Sequence, residues 1–245
     1  MEAFRFEEPL IEGLIKNRPN RFIMNIEVDG TSFKAHCPTT GKVGNVIFDN
    51  IPCLLSKSSN PKRQTPYTVE AFSLDPIDKP DKKWVGINQV KANRYVEHFI
   101  RTGALGKMFS EISNLRREVK LDDSRIDFLV NDSFFIEVKT LLNTFYTDKF
   151  PVLSGPKSKF NSYDRLIKHF KAITKVLKSG KDFSLLLCYM YDAKPFVRPK
   201  RDETNGKILK AALEADAAGM GQWQINLELS PKEARLIRCF PLEDL

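Results

Sequence analysis

Two acidic residues on neighbouring predicted strands have a spacing that suits metal-assisted catalysis. Alternating apolar and polar side chains predict one strand over 124–130 and a second over 134–139. If residues 131–133 form a three-residue hairpin loop, Asp127 lies opposite Glu137. Side chains opposed in this way lie about 4.5–5.5 Å apart, where like charges repel each other. Together with Lys139, the two carboxylates therefore predict a divalent-cation site for phosphodiester chemistry.

The chemistry of these side chains suggests a role for each. Asp127 and Glu137 would be oxygen ligands of Mg²⁺ or Mn²⁺. Lys139 would orient or deprotonate the attacking water, or neutralise charge developing on the phosphate. The alternative is a solvated strand face on which Arg125 pairs with Asp127, or Glu137 with Lys139. The metal interpretation is favoured because the opposite face is predicted to be apolar throughout. That face comprises Ile126, Phe128, Val130, Phe134, Ile136 and Val138.

The overall charge favours a polyanionic partner. The 245 residues include 39 basic and 31 acidic side chains, giving a net charge of +8. The apolar runs are shorter than the roughly 20 residues that span a bilayer, and the N-terminus does not resemble a secretory signal. The four cysteines form no CxxC pair and no zinc-binding spacing, so we expect buried free thiols in a cytoplasmic protein. DNA is the expected partner; the oligomeric state stays open.

The pattern of elements predicts two domains. Up to about residue 84, short strands separated by turns indicate a small barrel or sandwich, and Asp29-Gly30 is a strong hairpin signal. The stretch 75–83 has the prolines and charges of a linker or long loop. Beyond it, a helix over 91–101, an amphipathic helix over 163–178 and a buried strand over 183–191 indicate a mixed α/β domain.

Two groups of basic and aromatic residues are candidates for nucleic-acid binding. The first lies in a loop of the N-terminal half and consists of Lys62, Arg63 and Tyr67, which suit backbone contacts with some stacking. The second recurs at helical spacing over 163–178, opposite the apolar stripe, and could follow a phosphate backbone. It consists of Arg165, Lys168, Lys171 and Lys175. The alternative for this second group is an ordinary solubilising lysine face.

The order of elements in the second half resembles the core of the PD-(D/E)xK nucleases. From Lys91 the order is helix, three strands, helix, strand, with Asp127 on the second strand and Glu137-Val138-Lys139 on the third. In many nucleases of this fold the first helix supplies an acidic ligand. The resemblance therefore implies Glu97 as a third metal ligand, the alternative being an ordinary exposed helix glutamate.

A series of short motifs along nearly the whole chain resembles the sugar fermentation stimulation protein A (SfsA) family. The family implies an N-terminal OB-type barrel, a C-terminal nuclease-like domain and DNA binding with little sequence preference. Its name also links it to regulation of sugar metabolism. The motifs are Pro9-Leu10-Ile11-Glu12-Gly13, Arg21-Phe22, His36-Cys37-Pro38 with Thr40-Gly41, Asn60-Pro61-Lys62-Arg63, Val85-Gly86-Ile87-Asn88, Ala92-Asn93-Arg94, Arg117-Glu118-Val119-Lys120, Ser124-Arg125-Ile126-Asp127-Phe128 and Ile136-Glu137-Val138-Lys139.

The sequence departs from the family pattern at several positions. Thr39 stands where the family usually has Asn, Val152 follows Phe150-Pro151 where an Asp is usual, and Ile167 replaces a helix Gln. The sequence thus predicts an OB-like barrel over 1–84 and a restriction-endonuclease-like mixed-sheet domain over 85–245, of class α+β or α/β. The expected function is DNA binding with metal-dependent phosphodiester cleavage. The alternative is a non-catalytic DNA-binding regulator that keeps the nuclease-like frame as a scaffold.

Overall fold

Two sheets organise the chain. The computed structural model describes residues 2–44, 46–109, 111–121, 124–142, 163–198 and 206–242. For residues 163–166, the first turn of a helix, it describes the backbone alone. A six-stranded sheet and a seven-stranded sheet follow each other along most of the sequence. Among the described residues, no helix is both long and apolar enough to cross a membrane.

The six-stranded sheet closes into a small barrel. After a short strand β1 (Ala3–Arg5), its strands are β2 (Ile11–Asn17), β3 (Ile23–Val28), β4 (Thr31–His36), β5 (Ile51–Lys57), β6 (Tyr67–Ser73) and β7 (Trp84–Gly86). The order is β4-β3-β2-β5-β6-β7, and a parallel pairing of β4 with β6 closes the ring. Asp29 and Gly30 form the tight turn between β3 and β4 with φ of 48° and 75°, as predicted. The predicted OB-like barrel is therefore confirmed.

The seven-stranded sheet is mixed. It contains β8 (Leu115–Leu121), β9 (Ser124–Val130), β10 (Phe134–Lys139), β11 (Asp182–Tyr189), β12 (Gly221–Leu229) and β13 (Glu233–Pro241) in the order β1-β13-β12-β11-β10-β9-β8. The central strands β10, β11 and β12 are parallel, and their neighbours are antiparallel. This confirms the predicted mixed class. β1 comes first in the chain yet pairs with β13, so it belongs to the second sheet and not to the barrel.

Among the described residues, three helices cover the second sheet. They are α1 (Gln89–Arg101), α2 (Tyr163–Lys178) and α3 (Gly206–Ala217). α1 packs on one face, where its stripe of Ala92, Tyr95, Val96, Phe99 and Ile100 joins apolar residues of β9 to β12. α2 and α3 cover the other face through residues such as Ile173 and Ala215. The sheet is thus buried on both sides, as the continuous apolar run of β11 requires.

The barrel and the second sheet share one apolar cluster. Tyr189 at the end of β11 packs with barrel residues such as Phe72. The backbone N–H of Gly86 donates to the Met190 carbonyl at 2.9 Å, and a Cβ built on Gly86 would lie 2.5 Å from Met190 Cβ. This close approach requires glycine at position 86. The predicted division at residues 84 and 85 falls inside β7 and stays a prediction.

All four cysteines are free thiols, as predicted. Cys37, Cys53 and Cys188 are buried, and Cys239 is partly buried. Burial raises the pKa of Cys53 and of Cys188 to about 12 each. These two thiols are therefore protonated near neutral pH and act as small apolar side chains in the core.

Candidate functional site

The β9–β10 hairpin has the register that its sequence predicts. Val130 pairs with Phe134, and the ladder continues through Leu129–Phe135 to Phe128–Ile136. In the loop, Asn131 and Asp132 have φ of 50° and 55°, a left-handed conformation that these two residue types tolerate. The three-residue loop thus sets the pairing that brings Asp127 towards Glu137.

Asp127 lies where the ladder ends. Its Oδ2 accepts the backbone N–H of Val138 at 2.8 Å, and its Oδ1 accepts Asn93 Nδ2 of α1 at 2.8 Å. Both oxygens of the carboxylate are therefore held by donors from different elements. These two hydrogen bonds fix Asp127 between β10 and the helix that covers this face of the sheet.

The predicted apolar face is wrong at one position. Ile126 packs with Leu129 and Phe135, not with Phe128, so strict alternation does not hold across Asp127. On the neighbouring strand, Glu118 has a φ of 48°, outside the range of a regular strand. This irregularity of β8 lies between the pairs Arg117–Phe128 and Val119–Ile126, beside Asp127.

Glu137 is almost completely buried, with 4% of its surface exposed. Its Oε1 forms an ion pair with Lys139 Nζ and lies 3.4 Å from His169 Nε2 of α2. Among the described residues, its Oε2 has no hydrogen-bond partner although the atom is buried. An orphaned carboxylate oxygen is costly to bury, so this atom is a position where a cation would fit.

The two carboxylates have opposite pKa shifts. Burial, followed by the charge of Glu137, raises the pKa of Asp127, against the opposing effects of Val138, Lys139 and Asn93. Burial also pushes the pKa of Glu137 upwards, but its contacts with His169 and Lys139 outweigh burial and leave that pKa below its usual value. Glu137 is therefore held ionised, and its charge resists ionisation of Asp127.

A divalent cation suits this donor set. A buried and a partly buried carboxylate that repel each other, the first with an orphaned oxygen, are the hard ligands that Mg²⁺ and Mn²⁺ prefer. Within the part of the chain that the structure describes, no group of three or more His, Cys, Asp and Glu side chains could hold a metal ion. In this interpretation Asp127 and Glu137 would be ligands, and water or phosphate oxygens would contribute to the shell.

Glu97 lies on α1 one turn beyond Asn93, with 17% of its side chain exposed. Its carboxylate forms ion pairs with Arg101 and Arg117, both at 2.9 Å. Glu97 is therefore not the ordinary exposed helix glutamate that the alternative assumed, and its carboxylate already has two arginine partners. Its role as a third metal ligand stays a prediction. Binding a metal would require that the Glu97 carboxylate be released from these two arginines.

The predicted nucleic-acid residues are distributed over two surfaces. Lys62 is exposed and Arg63 partly exposed in the β5–β6 loop, and Tyr67 at the start of β6 packs edge-on against Phe33 at 5.2 Å. On α2, exposed side chains lie opposite the buried Ile173 and Val176. They are Lys168, Lys171 and Lys175. The Arg165 side chain and the stretch 150–152 lie outside the described residues. Binding of DNA by these side chains stays a prediction.

Sequence reasoning missed two partners of the carboxylates, Asn93 and His169. Asn93 could have been found, because it lies four residues before Glu97 on the same helix face. His169 has no local sequence signal of this role. Its contact with Glu137 depends on how α2 packs on the sheet, which no local spacing reveals.

Comparison with known proteins gives the family. Residues 17–87 match the family model described as the SfsA N-terminal OB domain, and residues 90–233 match the sugar fermentation stimulation protein RE domain. A sugar fermentation stimulation protein homolog from Azotobacter vinelandii is 31% identical over 240 residues, covering 96% of this chain and 97% of the relative. The homolog from Alcanivorax borkumensis is 31% identical over 249 residues, covering 98% and 99%.

A solved structure has the same fold. It is described as Pyrococcus furiosus SfsA in complex with Ca²⁺, and it aligns with a TM-score of 0.70 over 96% of this chain and 97% of that chain. The sequence identity is 19%, so this likeness concerns the fold alone. The two family models cover the barrel and most of the second sheet, and the relatives match over nearly their full lengths. The chain therefore belongs to the sugar fermentation stimulation protein (SfsA) family.

Proposed function

We propose that this protein binds DNA and hydrolyses phosphodiester bonds with a divalent metal ion held by Asp127 and Glu137. The observation that carries the proposal is the buried Glu137 Oε2, which has no partner among the described residues and lies beside a second carboxylate. The Ca²⁺ named for the Pyrococcus furiosus SfsA structure supports a cation-binding fold, since Ca²⁺ is also bound by oxygen ligands.

The neighbours of the two carboxylates have distinct tasks. Asn93 and the Val138 N–H orient Asp127, while His169 and Lys139 keep Glu137 ionised. When bound, the metal would lower the pKa of a coordinated water and stabilise charge on the phosphate. Lys139, which is partly exposed beside Glu137, would hold the attacking water or a phosphate oxygen.

The substrate class follows from charge. The chain carries a net charge of +8, and α2 presents a row of exposed lysines on the helix that supplies His169. Neutralising phosphates with such side chains releases counterions, which gives affinity without reading sequence. DNA binding with little sequence preference is the activity that this arrangement supports best.

The test is cleavage of plasmid and linear DNA by purified protein with Mg²⁺ or Mn²⁺. Asp127→Asn should abolish cleavage because it removes a ligand charge. Asp132→Asn is the matched control, since Asp132 lies on the same hairpin and is exposed in an ion pair with Arg116. Cleavage that survives in Asp127→Asn at the wild-type rate would come from a contaminant and would refute the proposal.

A non-catalytic DNA-binding regulator is the second candidate. It is favoured by Ile167, an apolar residue where family members usually have Gln, two positions before His169. Under this alternative neither metal supports cleavage, and Asp127→Asn leaves DNA affinity unchanged or raises it because a repelling charge is lost. Cleavage by the wild type that depends on Asp127 excludes the alternative.

A further inference from the structure

The barrel has an exposed aromatic ring in a loop that the proposed cleavage site does not use. Phe22 lies in the β2–β3 loop, between the first two strands of the closed ring, and 45% of its surface is exposed. In OB-type barrels this loop and the loop between the last two strands border the oligonucleotide-binding face. Here the second of these loops joins β5 to β6 and carries Lys62 and Arg63.

The backbone under Phe22 is held in place. Asn20 Oδ1 accepts the N–H groups of Phe22 and Ile23 at 2.9 and 3.0 Å, and the Phe22 carbonyl accepts the Cys37 N–H at 2.7 Å. Arg18 donates to the carbonyls of Arg21, Thr39 and Gly41 at 3.2, 2.8 and 3.1 Å. The ring is therefore presented by an ordered loop, which lowers the entropic cost of binding through it.

One basic side chain contacts the ring, and a second lies on the same side of the barrel. The Arg21 guanidinium lies 4.7 Å from the centroid of the Phe22 ring. His36 pairs with Ile23 in the β3–β4 ladder and with Thr68 near the start of β6. The end of the β5–β6 loop, which carries Arg63, therefore lies on the same side of the barrel as Phe22. In agreement, burial followed by the charge of Arg63 lowers the pKa of His36. Among the described residues, neither Arg21 nor Arg63 has a carboxylate within ion-pair distance, so both charges are available to a phosphate.

Hydrogen bonds connect this side of the barrel to the carboxylate site. Thr39 Oγ1 donates to Gln89 Oε1 at 3.4 Å, and Gln89 Nε2 donates to the Thr140 carbonyl at 3.0 Å. Thr140 directly follows Lys139, and the Gly44 N–H donates to Leu142 at 2.7 Å. The segment after β4 therefore lies against the end of β10.

We propose that Phe22 stacks against an unpaired base of single-stranded DNA while Arg21 and Arg63 bind the neighbouring phosphates. Only an unpaired base exposes its face to a protein ring, because in a duplex that face is covered by the next base pair. The substrate of the site is then a single strand, or a duplex with a single-stranded end, and not continuous duplex. This inference rests on the proposed function and names its substrate class.

The test is binding without catalysis. Anisotropy titrations in EDTA would compare a labelled single strand with a blunt duplex of equal length, at one fixed salt concentration. Phe22→Ala should weaken single-strand binding by about 5-fold to 100-fold, which corresponds to the loss of one base–aromatic stack. Affinity for duplex should change less than about 2-fold, since phosphate contacts dominate there. Phe22→Trp should restore single-strand affinity.

Two further variants separate stacking from folding. Phe22→Leu keeps an apolar side chain but removes the flat face, so it should bind as weakly as Phe22→Ala. Leu213→Ala removes a side chain of α3 that is 56% exposed, and it should bind like the wild type. Unchanged single-strand affinity in Phe22→Ala would overturn the proposal. So would an equal loss on both DNAs, because that result would indicate a structural role.

Failure of this inference can be told apart from failure of the proposed hydrolysis. If Asp127→Asn abolishes cleavage while Phe22→Ala leaves single-strand affinity intact, only the stacking role is wrong. If Phe22→Ala weakens single-strand binding but the wild type does not cleave, stacking stands and hydrolysis is wrong. Absence of DNA binding by the wild type overturns both.

Discussion

Asn93 Nδ2 donates to Asp127 Oδ1 at 2.8 Å, which joins α1 to the end of the β9–β10 ladder. The hydrogen bond orients a carboxylate whose pKa is raised by burial and by the charge of Glu137. Because the helix also contributes five buried residues to the sheet, the position of Asp127 depends on the packing of this whole face.

Divalent cations should stabilise the wild type against heat. At about 100 times the dissociation constant, a ligand specific for the folded state adds about 2.7 kcal/mol, which raises the Tm of a domain this size by about 5–10 °C. Asp127→Asn should lose most of this shift in differential scanning fluorimetry with Mn²⁺, whereas Asp132→Asn should retain it. Equal shifts in all three proteins would place the bound metal elsewhere.

Stability without metal should depend on pH through Asp127. Its pKa is raised in the folded protein by burial and by Glu137, so its contribution is fully present below the ordinary pKa of about 3.9 and is lost as pH rises through the folded value. In EDTA, the stability of the wild type relative to Asp127→Asn, measured as the difference in their free energies of unfolding, should therefore increase as pH falls from neutrality. Urea titrations at several pH values measure the difference, and a constant difference would contradict the raised pKa.

His169 should act on metal binding through Glu137. Its contact with Glu137 helps to keep the pKa of that carboxyl low, so His169→Ala should raise that pKa and weaken Mn²⁺ binding at mildly acidic pH. Calorimetric titration with Mn²⁺ at two pH values checks this. The loss of Mn²⁺ affinity in His169→Ala should be smaller at the higher pH. His98→Ala is the control, since His98 lies on α1 beside Glu2. A deficit that does not change with pH would indicate a structural role.

The buried ion pair at the junction of the sheets should be costly to break. Glu70 is 2% exposed and binds Lys91 Nζ at 2.8 Å and Asn88 Nδ2 at 2.8 Å. Lys91→Met leaves the Glu70 charge without its cation, and should lower the free energy of unfolding by about 3 kcal/mol. Lys83→Met removes an exposed partner of Glu228 and should cost less than about 1 kcal/mol. Chemical denaturation measures both, and equal losses would contradict the role of burial.

The contact between β7 and Met190, the residue that follows β11, should not tolerate a larger side chain at position 86. A Cβ on Gly86 would lie 2.5 Å from Met190 Cβ, so Gly86→Ala should destabilise the protein by about 1–3 kcal/mol through overpacking. Gly41→Ala is the control, because nothing lies within 4 Å of a Cβ built there. Thermal unfolding of both variants tests the difference. A Gly86→Ala protein as stable as the control would show that the two sheets can move apart.

Local signals predicted much of the fold. The Asp29-Gly30 turn, the bounds of α2 and the register of the β9–β10 hairpin all follow from residue types that favour one backbone conformation. The candidate ligands could be named for the same reason, since the hairpin register brings Asp127 towards Glu137. These features depend on contacts between residues close together in the sequence.

Features that depend on distant contacts were not predictable in this way. The alternation of side chains between the two sheet faces is interrupted at Ile126, beside Glu118 of the neighbouring strand, which has a left-handed conformation. Arg117, which forms an ion pair with Glu97, lies on β8, 20 residues away from it in sequence. The contact of His169 with Glu137 requires α2 to pack across β10 and β11. Pattern reasoning cannot fix such relations, because they are decided by tertiary packing.

The pairing of β1 with β13 changes how the barrel relates to the rest of the chain. Residues Ala3–Arg5 form one edge of the seven-stranded sheet, and Phe4 and Phe6 pack on Tyr95 of α1. The second sheet thus contains strands that come both before and after the barrel in the sequence. A fragment that begins at residue 85 would lack this edge strand and leave β13 open to pairing with another chain.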